Sequence, residues 1–556
     1  MGKRGFTSLQ EIPEEFKEEL EKYFSAVGKD TFVIHGLPPE LTGGALARYS
    51  RAKTGMQLTI INEFLDEHGK PSQEKGSALM DRVLNAYGDD SVGELEGVHV
   101  GFEDVSQLLA KEIEDRRIGG SPIEQSTRYV VYDKKDESGQ WRYVRPKEIM
   151  ESQFAHEYVE VCDQAFEVYA ELIPLLSEHF TEQFPKETFT IQVPREGNMV
   201  TVSHDQLQNE SEQRAFRIAY NFTIRCAALD VGRCVLPTAT KTHLGIYGNG
   251  RFFTHLLSHL KSSPLQECVQ RAEHLERELN KVIPTFVKRN KKRPELQVRD
   301  QHMFALANRL LSGLTPEDGW VTLAQQSNPL DEFVASALFP YTNVSYVQLL
   351  AAVSSWEQSK KHEVLDVYVG ERQTRRDRTG RAAEAGYPFT YDLIGGFGEY
   401  RDLQRHRMLT QQRQLLSVDL GFIMPPEITT VGMHEQVSAL VERVDDVNRR
   451  LRQAGLVYAS QYMTLFNHRI RWMMGMNARA LQHLTELRSG INGHHSYRSM
   501  AMQMAKEAIA REPWMASLLN HVDYSDPDNK IARAKEQSRI QGKNLKSGVD
   551  ASVDLD

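Results

Sequence analysis

The chain has 556 residues, enough for two or more domains, with 40% hydrophobic and 26% charged residues. That composition is globular and soluble, and no apolar run approaches the roughly 20 residues of a membrane span. A formal charge of −9 argues against general nucleic-acid binding. The opening Met1-Gly2-Lys3-Arg4-Gly5 has charge with no apolar run behind it, so no secretory signal is expected. Cys162, Cys226, Cys234 and Cys268 form no Cys-x-x-Cys motif and no zinc-ligand spacing. Reduced buried thiols, no metal and a cytoplasmic location are expected.

In chain order, strand-like alternation appears in Val98-His99-Val100-Gly101-Phe102 and from Tyr129 to Tyr132. Helical spacing follows from Phe154 to Phe180, Gln208 to Ala228 and Pro264 to Phe286. The charged run from Lys288 to Leu296 ends the first half, and Leu314 to Asp331 leads into the second. There, Tyr387 to Tyr391 alternates as a strand, and Val437 to Leu451 and Ala478 to Leu487 have helical period. Beyond about Tyr524 the chain is polar, lacks aromatics and is expected to be disordered. The expected boundaries are 1–296, 297–523 and a tail at 524–556. Each half is a strand-rich piece followed by long helices, an α+β layout.

Two segments have the look of diverged copies of one another. The first runs Arg116-Arg117-Ile118-Gly119-Gly120-Ser121-Pro122-Ile123-Glu124-Gln125-Ser126-Thr127-Arg128-Tyr129. The second runs Arg405-His406-Arg407-Met408-Leu409-Thr410-Gln411-Gln412-Arg413-Gln414-Leu415-Leu416-Ser417. The first keeps Glu, Ser and Arg at its end; the second keeps Arg-His-Arg at its head. A weak internal repeat surrounds them. Arg48-Tyr49-Ser50 precedes the first and Asn343-Val344-Ser345 the second. Arg233 to Pro237 and Asn249-Gly250-Arg251 follow the first. Asn477-Ala478-Arg479 and Glu486-Leu487-Arg488 follow the second.

Taken together, the two segments resemble the signature of flavin-dependent thymidylate synthases, Arg-His-Arg, seven residues and then Ser: the second keeps its head, with Leu415 at the Ser position, and the first keeps its Ser126, with Arg116-Arg117-Ile118 at the head. The resemblance implies two tandem domains of the thymidylate-synthase-complementing type, each a mixed or antiparallel sheet with a long-helix bundle. It implies FAD as cofactor, and NADPH and methylenetetrahydrofolate as co-substrates in the reductive methylation of dUMP to dTMP. Family members work as homotetramers with sites between subunits. A fused chain is then a pseudo-dimer, and a homodimer of it a pseudo-tetramer.

By the same resemblance, Glu124, Ser126, Arg128 and Arg233 match nucleotide-holding residues. Ser50, Ser91, Glu94, Asn249 and Arg251 match flavin contacts. In the second half Arg405, His406 and Arg407 match flavin and nucleotide residues, Asn477 and Arg479 match the flavin Asn-x-Arg, and Arg488 matches an arginine facing the pyrimidine. Ser126, Arg405 and Arg488 are the expected catalytic residues. Departures are also present: Asp89 replaces the family histidine, His259-Leu260 replaces the first-half Leu-Arg, and Gln461 replaces the counterpart of Arg233.

The residue types suit this chemistry. Arginine forks give phosphate bidentate, charge-assisted hydrogen bonds, and Ser126 adds a short donor. With no enzyme thiol adding to the ring, Arg405 and Arg488 would stabilise charge growing on uracil oxygens. Each residue also has an ordinary reading. Arg-His-Arg on a helix can be a solvated face, and Asn249 and Asn477 can be helix N-caps. Adjacent His494 and His495 do not share a helix face and read as structure or solvent, with Arg498 at the surface. Met473-Met474-Gly475-Met476 reads as core filler. Two alternatives stay open: a flavin enzyme acting on another pyrimidine nucleotide, and a non-catalytic relative that binds flavin or nucleotide.

Overall fold

The computed structural model describes residues 4–81, 90–372 and 380–548, with the backbone alone at Asp90 and Ser91. Asp89 therefore lies outside the described residues, as does the side chain of Ser91. In the first half, helix α1 (Pro39–Tyr49) leads to strand β1 (Gly97–Ser106), helix α2 (Gln107–Glu114) and strand β2 (Gly120–Glu124). The long helix α3 (Ala155–Gln183) follows, then strands β3 (Thr190–Arg195) and β4 (Asn198–Ser203), helix α4 (Glu210–Gly232), strand β5 (Lys241–Asn249) and helix α5 (Gly250–Lys261). The second half contains β6 (Val321–Leu323), β7 (Phe389–Gly396), α6 (Phe397–Gln404), β8 (Thr410–Arg413) and α7 (His434–Gln453). It continues with β9 (Arg469–Met476), α8 (Ala478–Ser489), α9 (His495–Arg511) and α10 (Ala534–Ser547).

Local chemistry explains these elements. In α3, Val161, Cys162, Ala165, Phe166, Tyr169, Leu172 and Leu176 recur at three-to-four spacing and form its buried stripe. Asn209 caps α4 by accepting from the Glu212 N–H at 2.9 Å. Strand β7 is buried throughout, and in β9 the methionine run Met473–Met476 is core, as its composition suggests. The expected helix over 264–286 is interrupted, giving Gln266–Leu279 and Pro284–Val287, since a proline inside the helix would remove a hydrogen bond.

The two halves repeat one topology. The first sheet has the order β1-β5-β2; the second, β6-β7-β9-β8, contains the equivalent β7-β9-β8 with β6 added at its edge. In both halves the diverged signature segment links a short helix to the next strand. In both, an Asn-x-Arg triplet runs from the last strand into a helix.

Two compact units form, and they do not follow the sequence halves. One comprises 1–105, 109–124 and 242–297; the other comprises 106–108, 125–241 and 298–556. The first half's long helices α3 and α4 thus fold with the entire second half. There, α3 packs against both α4 and α7. Two equivalent segments also pair with each other. The Thr238 N–H donates to Thr464 O at 2.8 Å, Phe466 N–H to Leu236 O at 2.9 Å and Asn467 N–H to Cys234 O at 3.2 Å. Pro237 lies antiparallel opposite Leu465. The offset that carries Arg233 onto Gln461 and Asn249 onto Asn477 carries Pro237 onto Leu465. Each copy therefore meets its own counterpart across a local pseudo-two-fold axis, as in an isologous interface.

Two expectations fail in the second unit. Tyr129 to Tyr132 is not a strand: Tyr129 and Val130 N–H both donate to Ser126 O, at 3.1 and 3.0 Å, which makes a turn. Nor is the chain beyond Tyr524 simply disordered. Residues 534–547 form α10, which packs on α4 and β3. Composition hid this because α10 docks through Gly542 rather than an apolar stripe; a Cβ there would lie 2.7 Å from Gln192 O.

In the first unit, Glu96 is buried and, among the described residues, neither of its carboxylate oxygens has a hydrogen bond. Burial, and then the neighbouring Glu40, push its pKa up to about 9. Between its ordinary value and about 9, the folded chain keeps a proton that the unfolded chain releases, so Glu96 lowers stability as pH rises. Glu96→Gln removes that titration. Melting curves should therefore shift progressively in the variant's favour from about pH 5 to about pH 9; a pH-independent difference would show that Glu96 is ionised in the fold.

Candidate active site

In the second compact unit, elements from both sequence halves bring arginines together. The turn after β2 presents Thr127 and Arg128. The end of α4 presents Asp230 and, at its C-cap, Arg233. Helix α6 presents Arg401 and Asp402, with Arg405 as its C-cap and His406 just beyond. Arg488 occupies the last turn of α8, and His494 caps α9.

Asp230 is the first organising carboxylate. It accepts from Arg128 Nε at 2.7 Å and Nη2 at 3.0 Å, and from Arg533 Nη2 at 2.6 Å. Burial opposes its ionisation, but Arg128, Arg533 and His494 hold its pKa well below the carboxylate range. Arg128 Nη1 also lies 3.3 Å from both Asn492 O and Tyr497 Oη. The fork of Arg128 is thus engaged within the protein, leaving its charge as the main influence on a ligand.

Asp402 is the second. It forms an ion pair with Arg405. Burial would raise its pKa, but Arg405, Arg128, Arg233 and Arg488 overcome that and hold it at about 2. Two of these arginines come from each half of the sequence. The Tyr497 ring links the halves again, with Arg128 Cζ 5.9 Å and Arg488 Cζ 5.7 Å from its centroid.

Arg233 differs from Arg128. It is only 3% exposed, and among the described residues its guanidinium donates to Thr127 Oγ1 alone, at 3.3 Å, with no ion pair. Arg401 Nη1 donates to the same oxygen at 3.0 Å. Thr127 Oγ1 thus accepts from both guanidinium groups, which leaves its O–H free to donate. Burial lowers the pKa of Arg233, with Asp230 and Asp402 opposing. A Cβ on Gly398 would stand 3.4 Å from Arg233 Nη2, so this glycine keeps room for the guanidinium. A buried cation with a single weak neutral acceptor is poised to receive an anion.

Arg488 Nε donates to His406 Nε2 at 2.8 Å. Arginine is only a donor, so that histidine nitrogen is the bare acceptor and the ring proton sits on Nδ1. Burial, then Arg488, His483 and Arg405, depress the His406 pKa to about 3. Arg407 and Arg479 are exposed, and Met408 is 85% exposed.

The other expected site residues are dispersed. In the first compact unit Glu94 pairs with Arg251, both partly exposed. Ser50 Oγ donates to Ala47 O at 2.9 Å, and Glu124 accepts from Lys111 Nζ at 2.8 Å. Ser126 Oγ accepts from the Arg128 N–H at 3.3 Å. Asn249 and Asn477 are both N-caps, accepting from Phe252 N at 2.8 Å and Ala480 N at 3.0 Å. Each therefore starts a helix whose first turn holds an arginine, Arg251 or Arg479. N-terminal N–H groups with an adjacent guanidinium are donors of the kind that a dinucleotide's phosphates require, so these residues fit FAD.

Sequence reasoning missed Thr127, Asp230, Arg401, Asp402 and Arg533. Arg401 and Asp402 did offer a signal, two adjacent charged residues one turn before Arg405-His406-Arg407. Arg498 is corrected from surface to core: its Nε donates to Ser489 O at 2.8 Å and its Nη2 to Ser525 Oγ at 3.0 Å. His494 is buried, with Nε2 3.3 Å from Asp230 O.

The family model described as "Thymidylate synthase complementing protein" matches residues 39–285 and 389–514. The chain belongs to that family, and the match falls in two segments, one in each half. Among its relatives, a UPF0159 protein of Chlamydia muridarum is 34% identical over 551 residues, covering 95% of this chain and 98% of the other. A UPF0159 protein of Thermoplasma acidophilum is 29% identical over 518 residues, covering 91% and 99%. Similar solved structures include a UMP/dUMP methylase, PolB, from Streptomyces cacaoi bound with 5-Br dUMP, at 17% identity, TM-score 0.27 and coverage of 45% and 89%. Another is the flavin-dependent thymidylate synthase ThyX of Helicobacter pylori complexed with FAD and dUMP, at 16% identity, TM-score 0.24 and coverage of 45% and 94%. Scores this low carry no argument about this chain. No helix among the described residues is long and apolar enough to cross a membrane.

The His406 pKa sets a pH test. Between its ordinary 6.5 and about 3, the unfolded chain takes up a proton that the folded chain refuses. Stability from this group is therefore present above 6.5 and lost as pH falls towards 3. His406→Gln keeps an acceptor for Arg488 and does not titrate. Its melting temperature should fall less between about pH 7 and about pH 5 than that of the natural chain. Equal losses would mean that His406 is charged in the folded protein.

Proposed function

We propose that the protein is a flavin-dependent thymidylate synthase that methylates dUMP reductively at carbon 5, with methylenetetrahydrofolate and NADPH as co-substrates. The reading includes a cytoplasmic homodimer that acts as a pseudo-tetramer. The observation that supports it best is buried Arg233, with no carboxylate partner among the described residues, in one cluster with Arg405 and Arg488 from the other half.

The chain's own residues suggest a division of work. Arg233, Arg401 and Thr127 supply converging donors for the dUMP phosphate, with Arg128 adding charge. Arg405 and Arg488 offer positive charge to uracil oxygens, where it counts most as the ring gains electron density. Neutral His406 fixes the Arg488 guanidinium by accepting from its Nε. When bound, a flavin would supply the hydride for reduction; Arg407, Asn477 and Arg479 are the residues of the second unit that would hold it, and Ser50, Glu94, Asn249 and Arg251 form the corresponding set of the first unit taken by itself.

Purified protein loaded with FAD should convert dUMP to dTMP only when methylenetetrahydrofolate and NADPH are both present. Chromatography that detects no dTMP from flavin-replete protein would sink the proposal.

The two copies should also differ in what they contribute. Arg233→Ala should weaken dUMP binding roughly ten- to a hundredfold, on the order of 1.5–3 kcal/mol for one arginine–phosphate contact. Ser417→Ala, at the second-copy counterpart of Arg128, should change it by less than about twofold. Calorimetric titration separates these outcomes; similar losses in both variants would contradict the asymmetry.

A further inference from the structure

We infer that the C-terminal segment from Asp523 to Ser547 is a strap that sets the phosphate-binding arginines, with Arg533 as a positioning residue acting through Asp230. The inference rests on the nucleotide-binding reading above and extends it to chain beyond residue 514, where the family match ends.

The strap is tied at both ends of the site. At its start, the Asp523 N–H donates to Ser489 Oγ at 2.9 Å, next to Arg488. Buried Arg498 joins the same two elements, donating from Nε to Ser489 O and from Nη2 to Ser525 O at 3.4 Å and Ser525 Oγ at 3.0 Å. In the middle, Lys530 forms an ion pair with Glu427. Just before α10, Arg533, 4% exposed, reaches Asp230 Oδ2 at 2.6 Å, the oxygen that also receives Arg128 Nη2. Helix α10 then anchors the strap on α4, the helix that carries Asp230.

A merely structural terminus would need none of this coincidence. A carboxylate shared between two buried guanidinium groups cannot rotate to favour either, so Arg533 fixes the Asp230 plane on which Arg128 is registered. It also adds a cation: with Arg533 present, Asp230 is over-neutralised and Arg128 keeps net charge to act on a phosphate. Without it, Asp230 and Arg128 cancel. The strap should therefore govern recognition of phosphate and leave recognition of the base alone.

The test measures binding of dUMP, deoxyuridine and inorganic phosphate to full-length, FAD-loaded protein carrying Arg533→Met or Arg533→Lys. Arg533→Met should lose roughly tenfold in dUMP affinity with deoxyuridine affinity unchanged, and Arg533→Lys should recover most of the loss. Parallel losses for dUMP and deoxyuridine, or no loss for either, would overturn the inference. If Arg533→Met does not fold, Lys530→Ala decides: a reduced preference for dUMP over deoxyuridine supports the strap, and an unchanged preference rejects it. If the natural chain itself shows no preference for dUMP, the nucleotide reading fails separately. Inorganic phosphate then tests the strap alone, with weaker binding to Arg533→Met expected and equal binding overturning it.

Discussion

The antiparallel pairing of residues 234–239 with 462–467 is the contact on which the candidate site depends. Its hydrogen bonds join a segment of each copy to its own counterpart, Pro237 to Leu465. Arg233 stands immediately before one partner, at the end of α4. The same pairing draws the first copy's long helices into the unit that holds the whole second copy. Arg233 and Asp230 thereby share a unit with α6 and α8, which present Asp402, Arg405 and Arg488. Residues of both copies thus become neighbours inside one compact unit of one chain.

Burying several guanidinium groups together is costly unless their charge is matched. Asp402 answers Arg405, which lies partly exposed, and Asp230 answers buried Arg128 and Arg533. Arg233 is left with a threonine oxygen. The arrangement keeps the folded chain electrostatically tolerable and still short of negative charge. His406 fits this logic: a neutral imbalance-free acceptor orients Arg488 without adding another cation or spending a carboxylate on it.

Much of this was legible in the sequence, and the parts that were not share a physical cause. Arg128, Arg233, Arg405, His406 and Arg488 could be named because they sit in short motifs with fixed spacing. The long helices could be placed because their apolar residues recur at helical period. Asp230, Asp402, Thr127 and Arg533 had no such mark, since a carboxylate or hydroxyl that organises arginines is distinguished only by its neighbours in space. Tyr129 to Tyr132 alternated like a strand, but the Ser126 carbonyl claims both N–H groups that would begin it. The last segment read as unstructured because burial through Gly542 and a charged anchor leaves no periodic apolar trace. The roles of Ser50, Glu94, Asn249 and Arg251 gain only geometry from the fold: Ser50 ends a helix, Asn249 starts one, and Glu94 and Arg251 form an ion pair.

The second copy's substitution at Gln461 has settled into its surroundings. Its Oε1 accepts from Arg413 Nη1 at 3.0 Å and from Leu416 N–H at 3.1 Å, and its Nε2 donates to Tyr458 O at 3.1 Å. An arginine returned to this position would face the Arg413 guanidinium and would leave the Leu416 N–H without its acceptor. Leu415 and Ser417 would also still lack the groups their counterparts have. The route back to two equal sites therefore crosses a valley that no single substitution spans. This small hydrogen-bond network thus acts as a ratchet at Gln461, holding the second copy's glutamine against reversal.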